Sequence, residues 1–251
     1  MRLLQWLNTV LFAAMVLVNA LAEIVPLGGK TTGEISALYP NLFTPAPPAF
    51  SLWGLIYLLL LLFILYQWRR GEKPAQALRE VGPWFVVSCL MNIGWVLCWH
   101  FGAVTASPLC MAGLLVSLLV IERSLSIERH GGLLRRWGAE LGFSLYCGWI
   151  IAASIANVSA VLVKLGWDGF GCSDTFWTVL MLAVGLLLTV GAMQSIGRCG
   201  IGLGVLWAYL WILWNHISPA HCGGLYPAVI AAASGCILCL AAAIYRLRKK
   251  Q

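Results

Sequence analysis

The residues of this 251-residue chain that could do chemistry are mostly aromatic. There are thirteen tryptophans, and several recur at helical spacing. Phe50, Trp53 and Tyr57 stand at i, i+3 and i+7. Asn92, Trp95 and Trp99 repeat that interval, as do Tyr146, Trp149 and Ala153, with Asn157 one turn further along. Trp207, Trp211 and Trp214 run i, i+4, i+7. Residues so spaced share one face of a helix. A buried indole needs a hydrogen-bond partner that lipid does not offer, so these faces are expected to point into a helix bundle. Stacking is the chemistry they provide, and the reading is an aromatic-lined cavity for a flat apolar molecule. Its candidate contacts are Phe50, Trp53, Tyr57, Asn92, Trp95, Trp99, Tyr146, Trp149 and Asn157. Helix packing alone is the competing reading. For Asn92 and Asn157 it takes the form of hydrogen bonds between helices, worth ~1 kcal/mol or less each.

Ionisable groups are few. Glu23, His100 and His216 fall near the ends of apolar segments, where intramembrane ionisable residues are suspects for function. Together with His221, Asp168 and Asp174 they collect at one end of the expected bundle. No H-x-x-x-H or C-x-x-C spacing backs a metal site there, and none is assigned. Glu23 is read as interfacial or bonded to a neighbouring helix. Of the nine cysteines, Cys89, Cys98, Cys110, Cys147, Cys236 and Cys239 lie in apolar segments, where a thiol behaves as a small hydrophobe. The Cys236-x-x-Cys239 pair has no basic neighbour to activate it. Cys199 falls on the basic side of the chain. Cys172 and Cys222 fall in two loops on the other side, and a disulfide between them is weighed against two free thiols. No P-loop, G-x-S-x-G, H-E-x-x-H or dinucleotide fingerprint is present. The Gly200-x-Gly202-x-Gly204 run opens a helix with no strand before it, so close helix packing explains it better than phosphate binding.

The elements that must position these residues are set by composition. Hydrophobic residues make up 61% of the chain and charged residues 10%, against about half and a quarter in a soluble domain. A soluble globular domain and a disordered chain are both excluded, and long unbroken apolar blocks are not the alternation of a membrane β-barrel. The fold class is all-α, a polytopic membrane protein with eight transmembrane helices. They are expected at Leu3–Val25, Pro48–Trp68, Val81–Ala103, Pro108–Ile127, Leu141–Leu165, Thr175–Ile196, Gly200–Ile217 and Tyr226–Tyr245, each near the ~20 apolar residues a span needs. The first could be mistaken for a signal peptide because Ala20-Leu21-Ala22 resembles a cleavage site. The run from Leu3 to Ala22 is longer than a signal core and is read as a span. The 26–47 stretch is the longest break. Trp6, Trp68, Trp84, Trp137, Trp167 and Trp177 lie near helix ends, the headgroup level that indoles favour.

Charge sets the orientation. With eight spans, one side collects Arg2, Arg69, Arg70, Lys73, Arg79, Arg123, Arg129, Arg135, Arg136, Arg198, Arg246, Arg248, Lys249 and Lys250. These are fourteen of the sixteen basic residues; the other side has only Lys30 and Lys164. The positive-inside rule places the first side, and both termini, in the cytoplasm, and the expected location is the plasma (inner) membrane. The net charge of +7 is thus a topology signal, and no nucleic-acid partner is expected. The partners expected are membrane lipid and an apolar small molecule, with a homodimer left open.

Three segments together resemble the translocator protein family, the tryptophan-rich sensory proteins (TspO/MBR). Thr44-Pro45-Ala46-Pro47-Pro48-Ala49-Phe50-Ser51-Leu52-Trp53-Gly54-Leu55-Ile56-Tyr57 is similar to the proline-rich opening of the family's second helix. Asn92-Ile93-Gly94-Trp95, leading to Trp99-His100-Phe101, is similar to its third helix. Tyr146, Trp149 and Asn157 match the spacing on its fifth. The Phe-to-Trp gap is one residue shorter than the family's, and Asn41-Leu42-Phe43-Thr44 replaces its Lys-Pro-x-Trp. The resemblance covers residues 1–165. It implies a five-helix bundle enclosing a cavity for porphyrins, sterol-like molecules or similar ligands, followed by a three-helix extension over 166–251. No resident cofactor is fixed; a porphyrin or haem-like ligand is what the resemblance implies. Under it, Trp53, Tyr57, Trp95 and Trp149 supply stacking surface, and Pro47 and Pro48 set the helix entry at the cavity mouth. The leading reading is a receptor or carrier. A small-solute transporter or permease is the alternative, and an enzyme acting on a bound tetrapyrrole or lipid a third, for which no acid–base pair stands inside the bundle.

Overall fold

The computed structural model describes residues 1–125 and 132–250; Arg129 and the expected end of the fourth span at Ile127 lie outside them. Among the described residues ten α-helices follow one another: α1 (Arg2–Ile24), α2 (Thr32–Ala37), α3 (Leu52–Gln67), α4 (Glu72–Val81), α5 (Trp84–His100), α6 (Ser107–Ser124), α7 (Phe143–Lys164), α8 (Asp174–Ile196), α9 (Cys199–Ile217) and α10 (Pro227–Lys250). No strand occurs among the described residues.

Seven segments are by themselves long and apolar enough to cross a membrane: α1, α3 with the turn before it, α6, α7 with its lead-in, α8, α9 and α10. The eighth span comes from α5 taken with α4, which meet at a 51° bend. The bend has a local cause. Gly82 holds φ +54°, a conformation that favours glycine, and Pro83 cannot donate the hydrogen bond that would continue α4. Seven of the eight expected spans are each a single segment, and the expected third corresponds to the bent α4–α5 pair, with corrected boundaries. Its long arm begins at Trp84, not Val81, because residues 72–81 form the amphipathic helix α4, read from sequence as loop. The second starts with a tight 3₁₀ turn over Pro47–Ser51 and becomes α-helical at Leu52. The fifth is extended backward by a wide π-helical turn, Arg135–Gly142, so Trp137 sits in that turn and not in an open loop.

Contacts define the two ends of the bundle. At the basic end, Gln5 Nε2 donates to the Gln67 carbonyl at 2.6 Å, Asn8 Nδ2 to Gln67 Oε1 at 3.0 Å, and Trp6 packs edge-on against Trp68. Two buried ion-pair groups lie at this end. Arg135 is paired with Glu80 (3.3 Å) and Glu140 (3.4 Å), and Arg198 with Glu122 (3.3 Å). Ser144 also donates to Glu122, at 2.8 Å. A buried charge persists only when paired and hydrogen-bonded, and these pairs clamp α4 and α6 to the start of α7 and to the α8–α9 corner.

Within the bundle, α5 packs on α1 and α6, and α7 packs on α6 and most closely on α9. Glycines permit that last approach. A Cβ on Gly204 would lie 2.6 Å from the Leu145 carbonyl oxygen and the Trp149 amide nitrogen, and one on Gly200 2.5 Å from Ser144 Cβ. Gly200 and Gly204 are thus a small-xxx-small face on α7, while Gly202 faces Met193 and Ile244 on the other side. Helix α9 lies against the aromatic face of α7, with α8 and α10 packed behind it.

Candidate functional site

The aromatic stripes of α3, α5 and α7 meet around Trp53. Its ring stacks on Tyr57 with centroids 5.5 Å apart, lies 6.3 Å from Trp95, and meets Tyr146 (5.6 Å) and Trp149 (6.1 Å) edge to face. Trp95 stacks in turn on Trp99 at 5.9 Å. A small cavity of about 50 Å³ lies on the side of this cluster away from the basic end. Phe50, Trp53, Trp95, Trp99, Trp149 and Asn157 line it, with Ala152, Ala153 and Ala156 of α7.

Tyr57, Asn92 and Tyr146 differ from expectation, for they do not line this cavity. They sit one turn deeper. Asn92 is fully buried, donates to Tyr146 Oη at 2.9 Å and accepts from Asn19 Nδ2 at 2.7 Å. This polar layer joins α1, α5 and α7 and forms the floor, so Asn92 plays the helix-bonding part. Asn157 is on the wall, yet its amide is already engaged with Ser107, donating at 2.9 Å and accepting at 3.1 Å. Two indoles are different. The Nε1 atoms of Trp95 and Trp149 are buried and have no hydrogen-bond partner among the described residues, and the same holds for Tyr57 Oη. A buried unpaired donor costs about 1–3 kcal/mol, and the two indole donors sit in residues of the cavity wall.

The roof is a lid that sequence reasoning passed over as a break. Residues 26–51 fold across the end of the bundle and contribute Thr32, Ser36, Phe43 and Pro45 to the lining. A signal was present: Thr31-x-x-Glu34 is a capping box. Thr31 Oγ1 accepts from the Glu34 amide and Glu34 from the Thr31 amide, starting α2. Those bonds from Thr31 hold the Glu34 carboxyl below its ordinary range. One edge of the lid is tied to α1 and α5. Glu23 Oε1 accepts from the Thr32 amide (3.2 Å), Trp99 Nε1 donates to the Thr32 carbonyl (3.3 Å), and His100 sits between the Leu27 carbonyl (2.8 Å) and Thr32 Oγ1 (3.2 Å). His100 Nδ1–H donates to the carbonyl, which leaves Nε2 to accept from the hydroxyl.

The other edge is tied to α9. The Ala46 amide donates to the Trp211 carbonyl (3.1 Å), Trp207 Nε1 to the Ala49 carbonyl (2.9 Å), Asn215 to the Thr44 carbonyl (3.2 Å) and His216 Nε2 to the Leu42 carbonyl (2.8 Å). Ala208 and Ile212 of α9 complete the wall. The fourth aromatic stripe, on α9, therefore does not face inward as a set: the Trp207 indole and the Trp211 carbonyl grip the lid, and Trp214 is 51% exposed. Helix α9 is the element that holds the mouth shut, a part no motif announced.

No ionisable residue lines the cavity, and no group of three metal-binding side chains occurs among the described residues. All nine cysteines are free, so Cys172 and Cys222 are not bridged; burial pushes the Cys222 thiol up.

Helical spans, a stripe-lined cavity and a lid define an all-helical integral membrane protein with an enclosed apolar site. The family model described as "TSPO-like protein" matches residues 5–246. The chain belongs to that family, and the match runs through α8, α9 and α10 rather than ending near residue 165. No curated protein and no solved structure matches the chain.

Proposed function

We propose that the protein is a membrane receptor or carrier that takes up a flat apolar ligand, of the tetrapyrrole or sterol-like class, into the cavity beneath the lid. The observation that carries this reading is the pair of unpartnered indole N–H groups of Trp95 and Trp149 on a wall otherwise built for stacking. A ligand with an aromatic face and an acceptor atom relieves both donors. The wall carries no charge, which suits a neutral ring system. At about 50 Å³ the cavity is far smaller than the ~300–1,000 Å³ of ligand sites, so uptake of a ring system requires it to widen, with the lid moving away from α5 or α9. The Asn19–Asn92–Tyr146 layer beneath the cavity favours a receptor or carrier over a permease with a through-path. In this reading the first five spans and the last three act as one unit, because α9 closes the site.

A porphyrin titrated into the detergent-solubilised protein should quench tryptophan fluorescence along a saturable curve with one site per chain. A linear, unsaturable decrease would count against the proposal. Orientation is part of the same reading: the basic end, with both termini, faces the cytoplasm of a plasma (inner) membrane. A reporter fused after Gln251 that works only in the cytoplasm is the expected result, and activity only on the opposite side overturns this orientation.

A further inference from the structure

A second and larger cavity, of about 410 Å³, lies between α7, α8 and the outer edge of the lid. One wall is apolar: Ile155, Val158, Leu162 and Val163 of α7 face Met181 of α8. Its deep end is closed where Ile155 meets Gly185, since a Cβ on that glycine would stand 3.1 Å from the isoleucine side chain. Val158 and Val163 remain 46% and 39% exposed, so the crevice opens sideways on the apolar surface that the bilayer covers. Its other end is of different chemistry. Trp167 and Trp177 line it with ring centroids 4.9 Å apart and planes inclined at 58°. Trp177 is fixed in place by Nε1 donating to the Gly169 carbonyl at 2.9 Å. Asp174, one helical turn before Trp177, lies in the same lining and forms no ion pair among the described residues. Ser154 adds a buried hydroxyl without a partner.

An apolar trough ending in two inclined indoles and a carboxylate is complementary to a chain with a cationic head. Indole faces attract ammonium groups, and such aromatic cages recognise quaternary ammonium ligands. We propose that this crevice binds one phospholipid with an ammonium headgroup, drawn from the leaflet at the lid end. Its acyl chain lies along Val158 and Leu162, and its ammonium group against the outer surface of the contacting Trp167–Trp177 pair, near Asp174. The site is separate from the aromatic cavity and does not depend on the function proposed for it.

The test equilibrates the full-length protein in detergent with equal amounts of phosphatidylcholine and phosphatidylglycerol and counts retained lipids by native mass spectrometry. Both lipids carry the phosphate and the chains, so their difference isolates the ammonium. The net charge of +7 favours the anionic lipid over the surface as a whole, which makes the opposite preference diagnostic. The expected result is one phosphatidylcholine per chain, retained about fivefold or more over phosphatidylglycerol. Asp174→Asn keeps the side-chain shape and should bring that ratio close to one. Val158→Trp, which fills the trough without altering charge, should reduce retention of phosphatidylcholine. Equal retention of the two lipids by the wild type, or an unchanged ratio in Asp174→Asn, overturns the proposal.

Discussion

Arg198→Ala should destabilise the protein by about 3–5 kcal/mol, the cost of leaving a buried charge without its partner. Arg198 Nε lies 3.3 Å from Glu122 Oε2, and its Nη2 donates to the Leu125 carbonyl at 2.6 Å. Glu122 is completely buried at the end of α6, and among the described residues its carboxylate has, besides Arg198, the Ser144 hydroxyl. Removing the guanidinium strands the carboxylate and frees the α8–α9 corner from α6. The exposed pair Arg79–Glu72 is the comparison: Arg79→Ala should cost about 1 kcal/mol or less, because solvent already screens both charges. Thermal unfolding of the two variants in the same detergent gives the contrast. Combining Arg198→Ala with Glu122→Leu should recover much of the loss, since replacing both members of a buried pair by apolar groups is often near neutral. Equal, small shifts for Arg198→Ala and Arg79→Ala would mean that the buried pair contributes nothing.

Gly204→Leu should be nearly as damaging and should also abolish ligand uptake. The position faces α7 backbone, with the Leu145 carbonyl oxygen and the Trp149 amide nitrogen each 2.6 Å from a first added carbon. Backbone cannot move aside as a side chain would, and forcing extra carbons into a packed contact costs about 1–3 kcal/mol, occasionally more. Displacing α9 also withdraws Ala208 and Ile212 from the cavity and loosens the four hydrogen bonds that tie the lid to α9. Gly191→Leu on α8, where an added carbon meets nothing within 4 Å, should behave as wild type. Lower stability and lost uptake for Gly204→Leu alone is the expected pattern, read by thermal unfolding and by porphyrin titration.

The spans were legible because hydropathy is a sum over ~20 residues and tolerates local error. The bent α4–α5 pair marks the limit of that signal. Glu72, Lys73, Arg79 and Glu80 kept residues 72–81 from reading as part of a span, although Pro74, Ala77, Leu78 and Val81 are buried. The glycine run at Gly200–Gly204 was legible as a packing device for the same physical reason that the structure displays. The aromatic stripes of α3, α5 and α7 were legible as faces, yet spacing along a helix carries no depth. It could not tell that Trp95 borders the cavity while Asn92, one turn away, is tied into the floor. The lid was least legible. Its contacts with α9 join residues more than 150 positions apart, such as Trp207 with Ala49 and His216 with Leu42. They use backbone carbonyls that any sequence would supply. A four-residue pattern such as Thr31-x-x-Glu34 can start a helix, but it does not say what that helix covers.

Ligand binding is proposed for the cavity bordered by Trp95 and Trp149. Porphyrin titrations of the wild type, Trp95→Ala, Trp149→Ala and Trp137→Ala, run side by side with tryptophan quenching as the readout, test it most directly. Stacking on an indole is worth ~1–3 kcal/mol, and ~1.4 kcal/mol is a factor of ten in affinity. Kd should rise about tenfold or more in Trp95→Ala and in Trp149→Ala. It should stay unchanged in Trp137→Ala, whose ring is half exposed in the turn before α7. Wild-type affinity in both cavity variants would contradict the claim and leave the aromatic stripes as helix packing.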